Sequence, residues 1–331
     1  MDTKPTSSKY MTSLMDWNVV SNRAGPIIKP AIMMAQDFIQ LQHPTIQEVC
    51  THRIRNTMFY YFDTYRGKDK PPYETPPVTT NAAVQTLPRS IANGLGDKVT
   101  FARNIAEANL IDHATTTYFT KEEALSVGGN PDRIMFVKGR AGTRGEQVSC
   151  MKFSELVNAE IKNTHIIQEE IANPVLYYGR KVVFRYYIIP YDNEIYISRH
   201  ALVIVHGQEY DPASTEYKVH IQHNGNDNEA VRIPLNKLPN GREWFESITH
   251  LTRALLPVLS KIRRASSLFR YLIIGADAIP CADGKTRIVE LNIYPNLTNP
   301  AMRDEVYVPV MSSVLLKAVA GLDNGSWVKI E

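Results

Sequence analysis

The chain has 331 residues and a formal charge of +3 from 37 basic and 34 acidic side chains, a balance that argues against nucleic acid or an acidic membrane surface as partner. Apolar residues make up 44% and charged residues 21%, with 17 Tyr and 10 Phe, which excludes a disordered chain and predicts a packed globular one. This length exceeds the usual single core, so two or three lobes are expected, with clefts between them.

Cys50, Cys150 and Cys281 lie far apart, which suggests neither a zinc site nor a disulfide framework and fits reduced thiols. The stretch Met1 to Trp17 lacks the apolar core of a signal peptide, and no segment approaches the roughly 20 apolar residues that span a bilayer. A cytoplasmic location is the expectation.

In chain order, Thr45 to Tyr65 reads as helix followed by strand, and Lys68 to Pro77 as a surface loop, because its prolines remove donors and fix φ. After Asp97, the residues Phe101, Ile105, Ala108 and Leu110 recur at near-helical spacing. A strand over Ile134 to Lys138 then runs into a Gly-rich loop, a short helix is expected at Phe153 to Ile161, and a strand at His165 to Glu169. Lys181 to Pro190 and Glu194 to Val205 read as neighbouring antiparallel strands joined by Tyr191-Asp192-Asn193. Phe245, Ile248, Leu251, Leu255, Leu259 and Ile262 trace one helix face with a kink at Pro257. Leu272 to Ile279 and Thr286 to Ile293 form a hairpin around Asp283-Gly284, and Val308 to Val319 a last helix.

Three groups of residues could carry chemistry. In Lys138-Gly139-Arg140-Ala141-Gly142-Thr143-Arg144-Gly145, glycines let backbone N–H groups approach phosphate oxygens while Lys138 and Arg144 offset their charge. A Gly-rich turn with incidental basic residues is the structural alternative, and the loop is neither GxxxxGK[ST] nor GxGxxG. Period-two alternation puts Glu290 and Asn292 on one face, and the hairpin brings Asp277 beside them, giving three oxygen donors suited to Mg²⁺. The apolar flanks suggest burial, where unpaired carboxylates are costly. Finally, Lys181, Val183 and Arg185 share a strand face, so two cations could point into a phosphate cleft, although taken alone a basic surface strand is the better explanation. Arg199, His200, His220 and His223 lie between the stronger sets and could face a second substrate; a lone histidine is more often structural.

Taken in order, these elements resemble the ATP-grasp superfamily and, within it, the tubulin-tyrosine ligase-like family, from about Lys98 to Pro300. The resemblance implies an α+β (α/β) ATP-grasp fold, with nucleotide bound between two α+β subdomains. It divides the chain into an N-terminal α/β domain at 1–97, a central subdomain at 98–172 with the Gly-rich loop, and a C-terminal subdomain at 173–331 with the metal hairpin. FVKGRAGTRGEQV is similar to the family's lysine strand and phosphate-covering loop, making Lys138, Gly142 and Gly145 nucleotide contacts and Arg144 a catalytic loop residue. Lys98, opening KVTFARN, matches the earlier phosphate lysine.

HIIQEEIANP resembles the adenine hinge, implying Gln168, Glu169, Glu170 and Ile171 as the adenine-binding stretch. GRKVVFRYY is similar to Gly-x-Arg-Lys-Phe-Asp-x-Arg, which makes Lys181 a nucleotide and catalytic contact and Arg185 the cation near the transferred phosphate; Val183 departs from the family's Asp. GADAIPCADGKTRIVELNIYPNL resembles the metal hairpin, with Asp277, Glu290 and Asn292 as Mg²⁺ ligands. Arg199 and His220-Ile221-Gln222-His223 stand where the family has its acceptor Arg and His-Leu-Thr-Asn, so Arg199 and His220 are the implied substrate contacts. The Thr-Asn pair is missing, which points away from tubulin and toward small-molecule carboxylate and amine substrates, an amino acid among them. The implied cofactors are ATP and Mg²⁺, and the implied reaction is amide or peptide bond formation through an acyl phosphate. A kinase acting on a hydroxyl, or a nucleotide-binding module without turnover, are the alternatives.

Overall fold

The computed structural model describes residues 17–21, 26–44, 48, 56–60, 84–140, 148–221, 229–268, 270–293 and 295–330. Lys68 to Pro77 and most of Thr45 to Tyr65 lie outside them, as do Gly142, Arg144, Gly145, Gln222 and His223.

Helices and sheets alternate along the chain in an α+β architecture. Among the described residues there are three sheets. A small parallel sheet joins Leu41–Gln42, Trp17–Val20 and Thr57–Phe59. A four-stranded antiparallel sheet has the order Thr117–Tyr118, His165–Glu169, Ile134–Gly139, Val148–Lys152. The largest has ten strands around Arg180–Tyr191, which pairs antiparallel with Ile274–Pro280 and, on its other edge, with Glu194–Ser198 and Leu202–Val205.

Local sequence explains the two tight turns flanking the long strand. Asp192 and Asn193 both have positive φ, 52° and 62°, and Tyr178 and Gly179 do too, at 50° and 74°. That is the geometry of two-residue hairpin turns whose twist matches the strands, and Asp, Asn and Gly tolerate it best.

The run expected as one strand from Glu194 to Val205 breaks at Arg199. There the backbone turns to the C-terminal segment, with Arg199 N–H donating to the Ser326 carbonyl at 2.8 Å. Similarly, the helix expected across Trp244 to Ile262 is two helices, Gly241–Ala254 and Leu256–Ala265, separated at Leu255. Pro257 has no N–H to return to the carbonyl four residues earlier and its ring clashes there, so the chain restarts a helix with Pro in its first turn. The short helix after Lys152 is a 3₁₀ helix, Phe153–Asn158.

The core has two large parts on opposite faces of the ten-stranded sheet. Phe184, Tyr186 and Ile188 face Ile248, Leu251, Leu259 and Ile262 of the two helices. Tyr187, Ile189 and Tyr191 face the helix Val308–Ala320, which packs on the N-terminal helix Ile28–Gln36. The helix Lys98–Glu107, capped by the Asp97 carboxylate on Thr100 N–H at 2.9 Å, buries Phe101 and Ile105 in the first of these layers. A boundary at 97/98 therefore divides a helical pair, Arg89–Gly96 and Lys98–Glu107, that packs as a unit on the large sheet, and the four-stranded sheet begins only at Thr117. That sheet has its own core of Met135, Val137, Ile167, Ala124 and Leu156 on one face. Its other face, bearing Phe136 and Lys138, looks toward the large sheet across a cavity. No helix among the described residues is long and apolar enough to cross a membrane.

Candidate functional site

The floor of this cavity is the face of the long strand opposite Phe184. Lys181, Val183 and Arg185 line it at every second residue, and their cross-strand neighbours Ile204 and Asp277 line it as well. Asp277 is directly opposite Arg185 on one side and opposite Glu290 on the other. A bulge follows: Ala278 pairs with Ile288, which leaves Val289 as the extra residue beside Glu290, and both line the cavity. Gly275, also on this strand, leaves space for Pro295, since a Cβ there would lie 2.6 Å from the Pro295 Cβ.

The polar end of the cavity is a tight cluster. Arg185 donates from Nε and Nη2 to the two oxygens of Asp277, the second contact being 2.8 Å. Asn292 Nδ2 donates to Asp277 at 3.1 Å and to Glu290 at 3.0 Å. Lys98 Nζ stands 3.9 Å from Glu290. Burial pushes the Asp277 carboxyl up to about 6, with Glu290 adding to the rise and Arg185 opposing it. Burial also pulls the Lys138 ammonium down to about 8, against the attraction of Glu290. Arg185 loses hydration by burial, but Asp277 outweighs this and holds it above its ordinary value.

Two carboxylates on adjacent strands supply oxygen donors of the kind a hard cation takes, the Asn292 amide stands beside them, and Lys98, Lys138 and Arg185 surround the same space with Lys181 further along the wall. The donor set therefore fits a divalent cation carrying an anionic ligand. The opposite end is apolar: Phe136, Val148 and Ile221 face Val183, Ile204 and Ile279 across the gap, a slot suited to a flat ring. A second cavity adjoins it, sharing Lys138, Val289 and Glu290 and adding Lys98, Thr100, Arg140, Gln168 and Asn292.

The residues singled out in the sequence have distinct placements. Lys138, Glu169, Ile171, Lys181, Arg185, His220, Asp277 and Glu290 share the first cavity, while Lys98, Gln168 and Asn292 line its neighbour. Gln168 is buried and donates to Thr117 Oγ1 at 2.9 Å. Glu169 binds Arg133 at 2.8 Å and accepts from the Tyr118 hydroxyl at 2.5 Å, which, with burial, pushes that phenol up to about 12. Glu170 is held by Lys181 and His220. Arg199 is not brought to either cavity: it is exposed at the strand break, 5.8 Å from the ring of Phe245, which packs on the other face of the sheet. Gly142, Arg144 and Gly145 lie outside the described residues.

Sequence reading missed the apolar walls and one ion pair. Ile279 and Val183 were accessible by alternation from Asp277 and Lys181, but Phe136, Val148 and Ile221 join them only through the packing of two sheets. Arg140, at the start of the Gly-rich loop, donates to the Asp97 carboxylate at 2.6 Å.

The family described as the Tubulin-tyrosine ligase family matches residues 80–231. The match spans less than half of the chain, and that segment is similar to the tubulin-tyrosine ligase family. It takes in the helix Lys98–Glu107, the four-stranded sheet and the long strand, and with them the ATP-grasp resemblance is borne out. The family is one of ATP-dependent ligases, and the α+β fold expected of it is the one observed. Asp277, Glu290 and Asn292 fall beyond the matched residues, and their grouping rests on the hairpin geometry above alone. No curated protein matches the sequence.

Proposed function

We propose that the chain is a carboxylate–amine ligase that forms an amide or peptide bond at the expense of ATP, acting in the cytoplasm on small molecules such as amino acids. One observation carries the reading: Lys98, Lys138 and Arg185 converge with the set Asp277, Glu290 and Asn292 at one end of a cleft whose other end is apolar, with Lys181 further along the same wall. A magnesium nucleotide has that same division, with charged phosphates and a flat base.

Asp277, Glu290 and Asn292 would hold Mg²⁺, which screens the phosphate charge when bound. Lys138 and Lys181 bind the phosphates, and Arg185 stabilises charge on the phosphoryl group in transfer. The apolar walls around Val183 and Phe136 take the base, read by the backbone near Ile171. A substrate carboxylate attacks the γ-phosphate, ADP leaves, and the acyl phosphate is opened by an amine with release of phosphate and a proton. The resemblance gives Arg144, Gly142 and Gly145 the part of keeping water from the acyl phosphate. The missing Thr-Asn pair favours a small amine over tubulin as acceptor.

The test is incubation of the protein with Mg-ATP and pools of amino acids and small carboxylates, with ADP, phosphate and products followed by mass spectrometry and Glu290→Gln as control. ADP with a condensation product, lost in the variant, is the expected result. A phosphorylated product would make the protein a kinase instead, and turnover unaffected by Glu290→Gln would refute the site.

A further inference from the structure

Behind the cavity wall, one carboxylate ties three parts of the chain together. Glu170 lies in the crossing from the four-stranded sheet to the large sheet, where its backbone N–H donates to the Ile134 carbonyl at 3.0 Å. Its Oε1 accepts from Lys181 Nζ at 3.1 Å and meets His220 Nδ1 at 2.9 Å. The side chains of Glu170, Lys181 and His220 are 9%, 3% and 0% exposed. The other ring nitrogen of His220 is 2.7 Å from the Ser214 carbonyl, and the ring stands edge-on to Phe136 and Tyr210, both at 5.9 Å.

Lys181 and His220 line the cavity, and Glu170 does not. A lysine ammonium on a flexible four-carbon stem is a poor fixed point unless something holds it, and a buried one needs a counter-charge. Glu170 meets both needs from the protein side. The ammonium has three donors, and Glu170 takes one from behind, so the cavity side can still engage an anion. Burial opposes the charge on Glu170, yet His220 and Lys181 together hold its carboxyl below the usual range, so it stays ionised.

We infer that Glu170 is a positioning residue for nucleotide binding: it fixes the Lys181 ammonium in the cavity wall. The inference rests on the Mg-ATP reading of the cavity. It separates Glu170 from its neighbour Glu169, whose carboxylate serves Arg133 and Tyr118 within the four-stranded sheet.

Calorimetric titration of the full chain with Mg-ATP tests it, alongside melting of the nucleotide-free protein. Glu170→Gln should weaken binding about tenfold, the scale of one hydrogen bond to a charged group. A purely structural role would lower the melting temperature and leave the affinity of the folded protein unchanged. The discriminating comparison is Lys181→Met against Lys181→Met with Glu170→Gln, a pair that leaves no buried cation uncompensated and remains usable if Glu170→Gln alone does not fold. The two should bind Mg-ATP within about threefold of each other, because the carboxylate acts through the ammonium already removed. A further tenfold loss in the double variant, or an unchanged affinity in Glu170→Gln, overturns the inference. If the unmodified chain binds no Mg-ATP, the nucleotide reading itself falls, a result distinct from either.

Discussion

Two buried charge clusters share one face of the strand Arg180–Tyr191, four residues apart, and they differ in how their carboxylates are paired. At Arg185 a single guanidinium meets Asp277 with Glu290 beside it, and burial with the second carboxylate pushes Asp277 up to about 6. At Lys181 a single carboxylate, Glu170, serves a lysine and a histidine and is held below its ordinary range. In the first, two carboxylates crowd each other at the edge of a cavity, an arrangement that a bound divalent cation would relieve. The second is satisfied by its own side chains, which suits a device for holding parts in place. Crowding of carboxylates, more than burial, separates the ligand site from its support.

Neutralising the acidic cluster should have the largest effect. Glu290→Gln or Asp277→Asn is expected to lower ADP formation at least roughly a hundredfold while leaving the far-ultraviolet spectrum unchanged. A drop below about threefold would erase the distinction between the clusters. Next comes Lys138, which both carboxylates of that cluster attract. Its ammonium, lowered by burial to about 8, is charged below that pH and neutral above it, so Mg-ATP affinity should fall as pH rises through about 8. Lys138→Arg keeps its charge and should remove that inflection; the same inflection in the variant would assign it to another group. Lys138→Met should cost roughly tenfold in affinity at neutral pH.

A smaller effect is expected where packing supports the acidic cluster. Gly275→Ala would press a methyl group against Pro295 at 2.6 Å and stand 3.6 Å from Arg185 Cδ. It should destabilise the chain by about 1–3 kcal/mol in urea titration. The smallest belongs to Arg140→Ala: its ion pair with Asp97 is exposed, so the melting temperature should stay within error.

The acidic cluster was legible because two local rules suffice for it. Alternation puts Glu290 and Asn292 on one face, and the Asp283-Gly284 turn sets the register that brings Asp277 opposite Glu290. The bulge at Val289 was not, since an extra residue in a strand leaves no mark in an apolar run. Arg199 misled for a related reason: it stands in a β-rich run, but its N–H goes to Ser326, more than a hundred residues away. Glu170 and His220 were visible as candidates, yet alternation cannot say that a carboxylate lies behind the wall while its partners line it. The pairing of the first helix, Ile28–Gln36, with Val308–Ala320 is likewise a contact between chain ends that no local pattern encodes.

The most direct test of the contrast is calorimetric titration with ATP, with and without Mg²⁺, of the unmodified chain and of Asp277→Asn with Glu290→Gln. The account predicts that Mg²⁺ tightens ATP binding at least about tenfold in the first and has no effect in the second. Equal affinity with and without Mg²⁺ in the unmodified chain, or an equal Mg²⁺ effect in both, would contradict it.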